Sequence, residues 1–289
     1  MRGAACGVRD ARIRSDRRWF PPMTTRVCLA GATGWAGSEL ARAICRQAED
    51  VQLIAATSRT HAGEMLGPII GVPGLDVPVY ATVEEALAQP CDVFVEYTKP
   101  DAAKSHVRTA LEHGAHVVIG TSGLTDDDIE EIDALARERQ RGVLAVGNFA
   151  LTVVLMQRCA EMAAKLISQW EIIDYAHDAK ADAPSGTARE LASRLGRVRA
   201  QEPTLPVDRT VGEREARGAT LGGTQVHSVR LPGFVISTEV IFGLPDQRLS
   251  IRHDAGASAR PYVDGALLAI RRVSRLVGLH RGLDAVLDF

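Results

Sequence analysis

Apolar and polar positions follow two different rhythms along the chain. Over residues 26–146, short apolar runs at 26–30, 51–57, 92–97, 116–119 and 143–146 read as strands. Between them, helical spacing predicts helices at 38–47, 83–88 (capped by Thr82 with Glu85), 101–112 and 125–139. Strands alternating with helices predict a parallel sheet with helices on both faces. Residues 61–81, dense in Gly and Pro, predict a long loop with one short strand.

Beyond residue 150 the rhythm changes. An apolar helix at 152–167 leads to a strand closing on Glu171-Ile172-Ile173 and a helix at 187–194. A polar, Gly-rich stretch at 197–223 follows, then strands at 225–231, 234–242 and 248–253. In the middle strand Phe234, Ile236, Thr238, Val240 and Phe242 share one face, while Val235 and Ile241 leave the other partly apolar. A sheet this small needs cover on both faces, which predicts packing against another subunit. A last helix at 263–276 and the tail to Phe289 have the spacing to pack back on the first lobe.

The glycine pattern gives the first lobe a chemistry. The run Gly31-Ala-Thr-Gly34-Trp-Ala-Gly37 sits between a strand and a helix, the context in which such a loop binds a dinucleotide. One glycine permits the tight turn, one admits a pyrophosphate to the backbone, and one lets helix and strand pack closely. The predicted cofactor contacts are Gly31, Thr33, Gly34, Trp35, Ala36 and Gly37 from this loop. The strand ends add Ser58, Arg59, Thr98, Gly120, Thr121, Ser122, Gly147, Asn148 and Phe149. Where an NAD site places an acid, this chain has Ser58 and Arg59, so a 2′-phosphate is favoured: NADPH preferred, NADH possible. An Arg59 that is merely solvated fits the same pattern. His106, His113 and His116 fall on a helix face or its end and are assigned no part in catalysis.

The second lobe has its own focus at 174–188. A strand empties through His177, Asp178, Lys180 and Asp182 into Pro184-Ser185-Gly186-Thr187 and a helix. Thr187 and Glu190 have capping-box spacing, and Gly196 is the predicted stop. Free N–H groups and the helix dipole at that start favour a carboxylate or phosphate, with Lys180 and His177 just upstream. An ordinary capped helix behind a solvated Lys and His satisfies the same pattern.

Composition narrows the alternatives. Apolar content of 46% supports full cores, and a formal net charge of −2 with mixed signs points to neither nucleic acid nor an anionic membrane. No apolar run reaches the length of a membrane span. The five cysteines, Cys6, Cys28, Cys45, Cys91 and Cys159, show no metal spacing and suit a reducing cytoplasm, with no metal site expected. Residues 1–22 are Arg-rich without a signal-peptide core, and read as a disordered tail or an over-long start.

With these motifs in place, the chain resembles the 4-hydroxy-tetrahydrodipicolinate (dihydrodipicolinate) reductase family of lysine and diaminopimelate biosynthesis. The resemblance runs from about Arg26 to the C-terminus. It rests on the 31–37 loop, Tyr97-Thr-Lys-Pro100, Gly120-Thr-Ser-Gly123, Gly147-Asn-Phe149, Lys180-Ala-Asp-Ala-Pro-Ser-Gly-Thr187 and His227-Ser-Val-Arg-Leu231. It implies a Rossmann-type doubly wound parallel sheet from 23–150 and 258–289. A smaller α+β substrate-binding and oligomerisation domain with a mixed sheet would span 151–257, and the assembly would be a homotetramer. It also implies hydride transfer to a cyclic imine dicarboxylate, a small anionic substrate. Lys180 and His177 would be the catalytic and substrate-binding side chains, and Ser185, Gly186 and Thr187 would hold a carboxylate.

One position departs from the family. The first of two adjacent histidines, the family's proton donor, is Ala176 here, and Asp178 adds negative charge beside the dianion site. The departure leaves two rival readings: a diverged reductase with a different acceptor, and a nucleotide-binding sensor without turnover. A semialdehyde dehydrogenase would need a cysteine nucleophile, and Cys159 on an apolar helix is poorly placed for it.

Overall fold

A computed structural model of the chain describes residues 24–288; the basic segment 1–22, with Cys6, lies outside them. In chain order the first lobe builds β1 (Thr25–Ala30), α1 (Trp35–Gln47), β2 (Val51–Thr57), α2 (Leu66–Ile70), β3 (Val79–Tyr80) and α3 (Val83–Ala86). It continues with β4 (Val93–Glu96), α4 (Pro100–Glu112), β5 (His116–Ile119), α5 (Asp126–Glu138) and β6 (Gly142–Ala145). The second lobe adds α6 (Leu151–Ala164), β7 (Trp170–Ala176), α7 (Gly186–Val198), β8 (Ala219–Leu221), β9 (Thr224–Arg230), β10 (Ile236–Leu244) and β11 (Gln247–Ala255). The chain then returns through α8 (Val263–Arg272) and β12 (Gly278–Arg281).

The first sheet has seven strands in the order β12-β6-β5-β4-β1-β2-β3, every neighbouring pair parallel. Parallel strands are buried on both faces, which is why β4 reads as an unbroken apolar run ending in a buried Glu96. Leu29, Leu40, Ile44 and Ile270 pack on the α1 and α8 side, and Phe94, Val107, Leu111 and Ile132 on the α4 and α5 side. Thr125 caps α5 in a full capping box with Asp128, and Thr82 caps α3.

The second sheet is mixed, in the order β11-β10-β7-β9-β8, with β7 and β9 parallel and the other pairs antiparallel. Burial alternates along β7, as one-sided packing requires: Trp170, Ile172, Asp174 and Ala176 face inward with the α6 and α7 side chains Met156, Leu191 and Leu195. The outer face is more polar than its strand pattern predicts. The Tyr175 hydroxyl donates to Glu239 at 3.1 Å, Arg252 lies 4.7 Å over the Tyr175 ring, and His227 pairs with Glu171 at 2.8 Å.

Three local expectations are corrected. The N-cap of α7 is Ser185, whose Oγ accepts from the Ala188 N–H at 3.3 Å, and Thr187 lies inside the helix; Glu190 takes Arg194 Nε at 3.1 Å. Gly196 does not stop α7, which runs to Val198. A Cβ there would sit 2.7 Å from the Gly222 carbonyl oxygen, so the glycine admits the β8–β9 turn. The helix expected through 276 ends at Arg272, and a tight turn leads into β12, a strand too short and polar to announce itself. Among the described residues no helix is long and apolar enough to cross a membrane.

Candidate active site

The glycine loop forms a cradle that side chains would fill. Gly31 has φ +81°, and a Cβ there would lie 2.3 Å from the Tyr97 carbonyl oxygen; one on Gly37 would lie 2.1 Å from that of Gly31. Gly34 is the N-cap of α1 and supplies no capping side chain, so the first N–H groups of a thirteen-residue helix are left for a ligand. A diphosphate fits this cradle.

Two cavities meet at Thr98, above the carboxyl ends of the strands. The larger, about 530 Å³, is lined by Gly31, Thr33, Gly34, Ser58, Arg59 and Thr98, joined by Lys99, Ser105 and His106. The smaller, about 290 Å³, is lined by Trp35, Ala36, Thr98, Gly120, Thr121, Ser122, Gly147, Asn148 and Phe149, together with Tyr97 and Tyr262. Aromatic rings wall this second space: Trp35 meets Tyr262 edge-on at 5.7 Å, and Tyr97 meets Phe149 at 5.6 Å. Every predicted cofactor residue except Gly37 lines one cavity or the other; Gly37 is buried in α1. Beneath them, buried Glu96 accepts from the Thr98 N–H at 2.8 Å and from the Thr98 hydroxyl, and lies 2.8 Å from His106 Nδ1.

In the second lobe, the loop after β7 is anchored by Asp174. This buried carboxylate accepts from the Ser185 N–H and Ser185 Oγ, each at 2.7 Å, and from Arg230 at 2.8 Å. Arg230 also donates to the Asp182 carbonyl at 2.7 Å, pinning the loop from its other side. Lys180 is partly exposed, with Nζ 2.5 Å from Asp182 Oδ1; that contact is the first cause holding the Asp182 carboxyl below its usual range. His177 and Gly186 are exposed, Thr187 is half-buried, and Ser185 is buried. Ala176, on the inner face of β7, is fully buried.

The two lobes touch where these parts meet. Asn148, from the smaller cavity, donates through Nδ2 to Thr187 Oγ1 on α7 at 3.4 Å. The start of α7 therefore stands beside the smaller cavity, with Lys180 and His177 on the loop that precedes it.

Sequence reasoning placed Asp174 and Arg230 in motifs without giving them a role, assigned His106 no part in catalysis, and did not single out Glu96. A carboxylate closing the apolar run 93–96 is the available signal for Glu96, because such a group is buried only with partners. His106 looks like any helix-face histidine until α4 is laid against the end of β4. The other two histidines are structural: His113 Nδ1 lies 2.8 Å from the Thr109 carbonyl oxygen, and His116 Nδ1 accepts from the Gly142 N–H at 2.9 Å.

Comparison with known proteins agrees along the whole of both lobes. Residues 25–149 match a family model described as dihydrodipicolinate reductase, N-terminus, and residues 152–287 one described as dihydrodipicolinate reductase, C-terminus. The 4-hydroxy-tetrahydrodipicolinate reductase of Geobacillus kaustophilus (strain HTA426) is 40% identical over 267 residues, covering 92% of this chain and 100% of its own. That of Syntrophomonas wolfei is 40% identical over 264 residues, covering 91% and 98%. Among solved structures, the dipicolinate-bound dihydrodipicolinate reductase from Paenisporosarcina sp. TG-14 superposes with a TM-score of 0.80 at 31% identity, covering 92% of this chain and 100% of that one. An amine dehydrogenase from Mycobacterium smegmatis shares the fold, with a TM-score of 0.64 at 17% identity, covering 89% and 94%.

Proposed function

The chain belongs to the dihydrodipicolinate reductase family, and from that membership we propose that it reduces 4-hydroxy-tetrahydrodipicolinate, whose hydroxyl leaves as water, to tetrahydrodipicolinate in lysine and diaminopimelate biosynthesis. The cofactor is a reduced nicotinamide dinucleotide, which supplies the hydride. NADPH is preferred because Ser58, Arg59 and Lys99 share the larger cavity, and the guanidinium can fork onto a 2′-phosphate.

The observation that carries the reading is the 3.4 Å contact of Asn148 with Thr187, which brings the α7 start beside the smaller cavity, the space assigned here to the nicotinamide. Ser185, Gly186 and Thr187 hold one substrate carboxylate with the free N–H groups of α7. Lys180 and His177, on the loop before α7, are assigned to the same anion. With a methyl at Ala176, Lys180 is the group assigned to deliver the proton to the carbon beside the reduced one; its ammonium leaves Asp182 for the substrate. The protein works in the cytoplasm as a homotetramer joined through its mixed sheet. Its described cysteines, Cys28, Cys45, Cys91 and Cys159, are all free, in keeping with a reducing compartment.

The test is NADPH oxidation by the purified protein with freshly generated dihydrodipicolinate, followed by absorbance. Turnover that depends on the imine supports the reading. NADPH binding without turnover on this substrate, but with turnover on another imine or enone acid, would assign the chain to a diverged acceptor, the reading that Ala176 favours.

A further inference from the structure

Glu96 is fully buried at the end of β4, and its contacts leave little freedom. Oε1 accepts from the Thr98 N–H at 2.8 Å and touches the Thr98 hydroxyl, while Thr121 Oγ1 lies 3.3 Å from both Oε1 and the Glu96 carbonyl oxygen. A backbone N–H can only donate, so Oε1 accepts there, and as a carboxylate oxygen it accepts from the two hydroxyls as well. A hydroxyl has one proton and two lone pairs. With both protons committed inward, Thr98 and Thr121 offer the smaller cavity acceptors alone.

We propose that Glu96 is a positioning residue that sets the polarity of this cavity wall, so that Thr98 and Thr121 accept from the carboxamide NH₂ of the bound nicotinamide. The inference rests on the nucleotide reading above and deepens it. The same two hydroxyls cannot donate to the carboxamide oxygen, so the amide has one favoured orientation, and the ring it is attached to is held by it. His106, 2.8 Å from Oε2, fixes the other end of the carboxylate and keeps Oε1 turned to the threonines.

The experiment is a fluorescence titration with two reduced dinucleotides, NADPH and its 3-acetylpyridine analogue, in which a methyl replaces the NH₂. Wild-type protein is expected to bind the analogue roughly three- to tenfold more weakly, about the worth of one hydrogen bond. Glu96→Gln should keep that ratio, because the amide oxygen takes the Oε1 position that the Thr98 N–H demands and the NH₂ turns to His106. Glu96→Met frees the Thr98 hydroxyl, while Thr121 can still donate to the Glu96 main-chain carbonyl, so the ratio should fall but stay above one. Thr121→Val, equal in shape and lacking the acceptor, should lower the ratio by itself and keeps the test decisive if Glu96→Met does not fold. Equal binding of both dinucleotides by wild type, or a ratio unmoved by Thr121→Val and by a folded Glu96→Met, overturns the inference and leaves nucleotide binding standing. Failure to bind either dinucleotide overturns both.

Discussion

Asp174 holds Ser185 by two hydrogen bonds of 2.7 Å, one to its backbone N–H and one to its hydroxyl, across an eleven-residue span of chain. The Ser185 oxygen is thereby free to accept from the Ala188 N–H, and the start of α7 is fixed relative to β7 before any substrate arrives. A carboxylate on a strand thus fixes the start of a helix, the one to which the proposed function assigns the substrate carboxylate.

Removing that carboxylate should be costly. Asp174→Ala takes the carboxylate from the Arg230 guanidinium, which keeps only main-chain carbonyl partners, and strips the Ser185 N–H of its acceptor; loss of one member of a buried pair costs about 3–5 kcal/mol. Asp174→Asn keeps the shape and one acceptor and should cost less. Denaturant unfolding gives the stability, and KM for the imine should rise in Asp174→Asn more than KM for NADPH. A parallel rise in both would show that Asp174 does not act through the substrate site.

The proton-transfer assignment separates two lysine variants. Lys180→Met removes charge and proton, and should lower kcat/KM by roughly 10²–10⁴-fold. Lys180→Arg keeps a cation for the carboxylate, but a guanidinium stays protonated throughout the working range and is a poor acid, so it should restore KM while leaving kcat low. If Lys180→Arg recovers kcat, the proton comes from elsewhere.

How much of this was legible beforehand depends on what each element needed from the chain around it. The glycine turn before α1 and the helix start after Ser185 were readable because a tight strand-to-helix turn and a capped helix start each demand particular residues at fixed spacing. The parallel sheet was readable from its apolar runs, but β12 was not: Gly278-Leu-His-Arg gains its pairing only once β6 lies beside it. Glu96 and His106 are ten residues apart in sequence, and only the crossing of α4 over β4 makes them a pair. The Thr187 capping box failed for a related reason. Ser185 and Thr187 are both competent caps, and the choice fell to the one that Asp174 could reach.

Cofactor preference should turn on Arg59. It lines the larger cavity with Ser58 and Lys99, and no acid stands at the end of β2 to hold a ribose hydroxyl. Arg59→Ala should weaken NADPH by about tenfold or more, since a bidentate charge-assisted contact is lost, and should change NADH little. Titration with both dinucleotides measures it, and equal losses would remove Arg59 from the 2′-phosphate site.

The last expectation concerns acid stability and the joint between the lobes. Arg194 of α7 donates to both carboxylate oxygens of Asp284, in the tail beyond β12, at 3.1 Å, and to Glu161 of α6 at 3.1 Å. Burial raises the Asp284 carboxyl, but the hydrogen bonds and charge of Arg194 outweigh it, and the net shift is downward. A carboxyl lowered in the folded state stabilises fully above its ordinary value near 4, and that contribution fades as pH falls through the lowered value. Wild type should therefore exceed Asp284→Asn in unfolding free energy by a constant amount, about 1.5–3 kcal/mol for hydrogen bonds to a charged group, from neutral pH down to the ordinary carboxylate range. Below that range the gap should close, because the wild-type carboxylate is then protonated too. A gap that persists unchanged into strong acid would mean that Asp284 contributes by shape and not by charge, and that the two lobes are joined mainly by their apolar contacts.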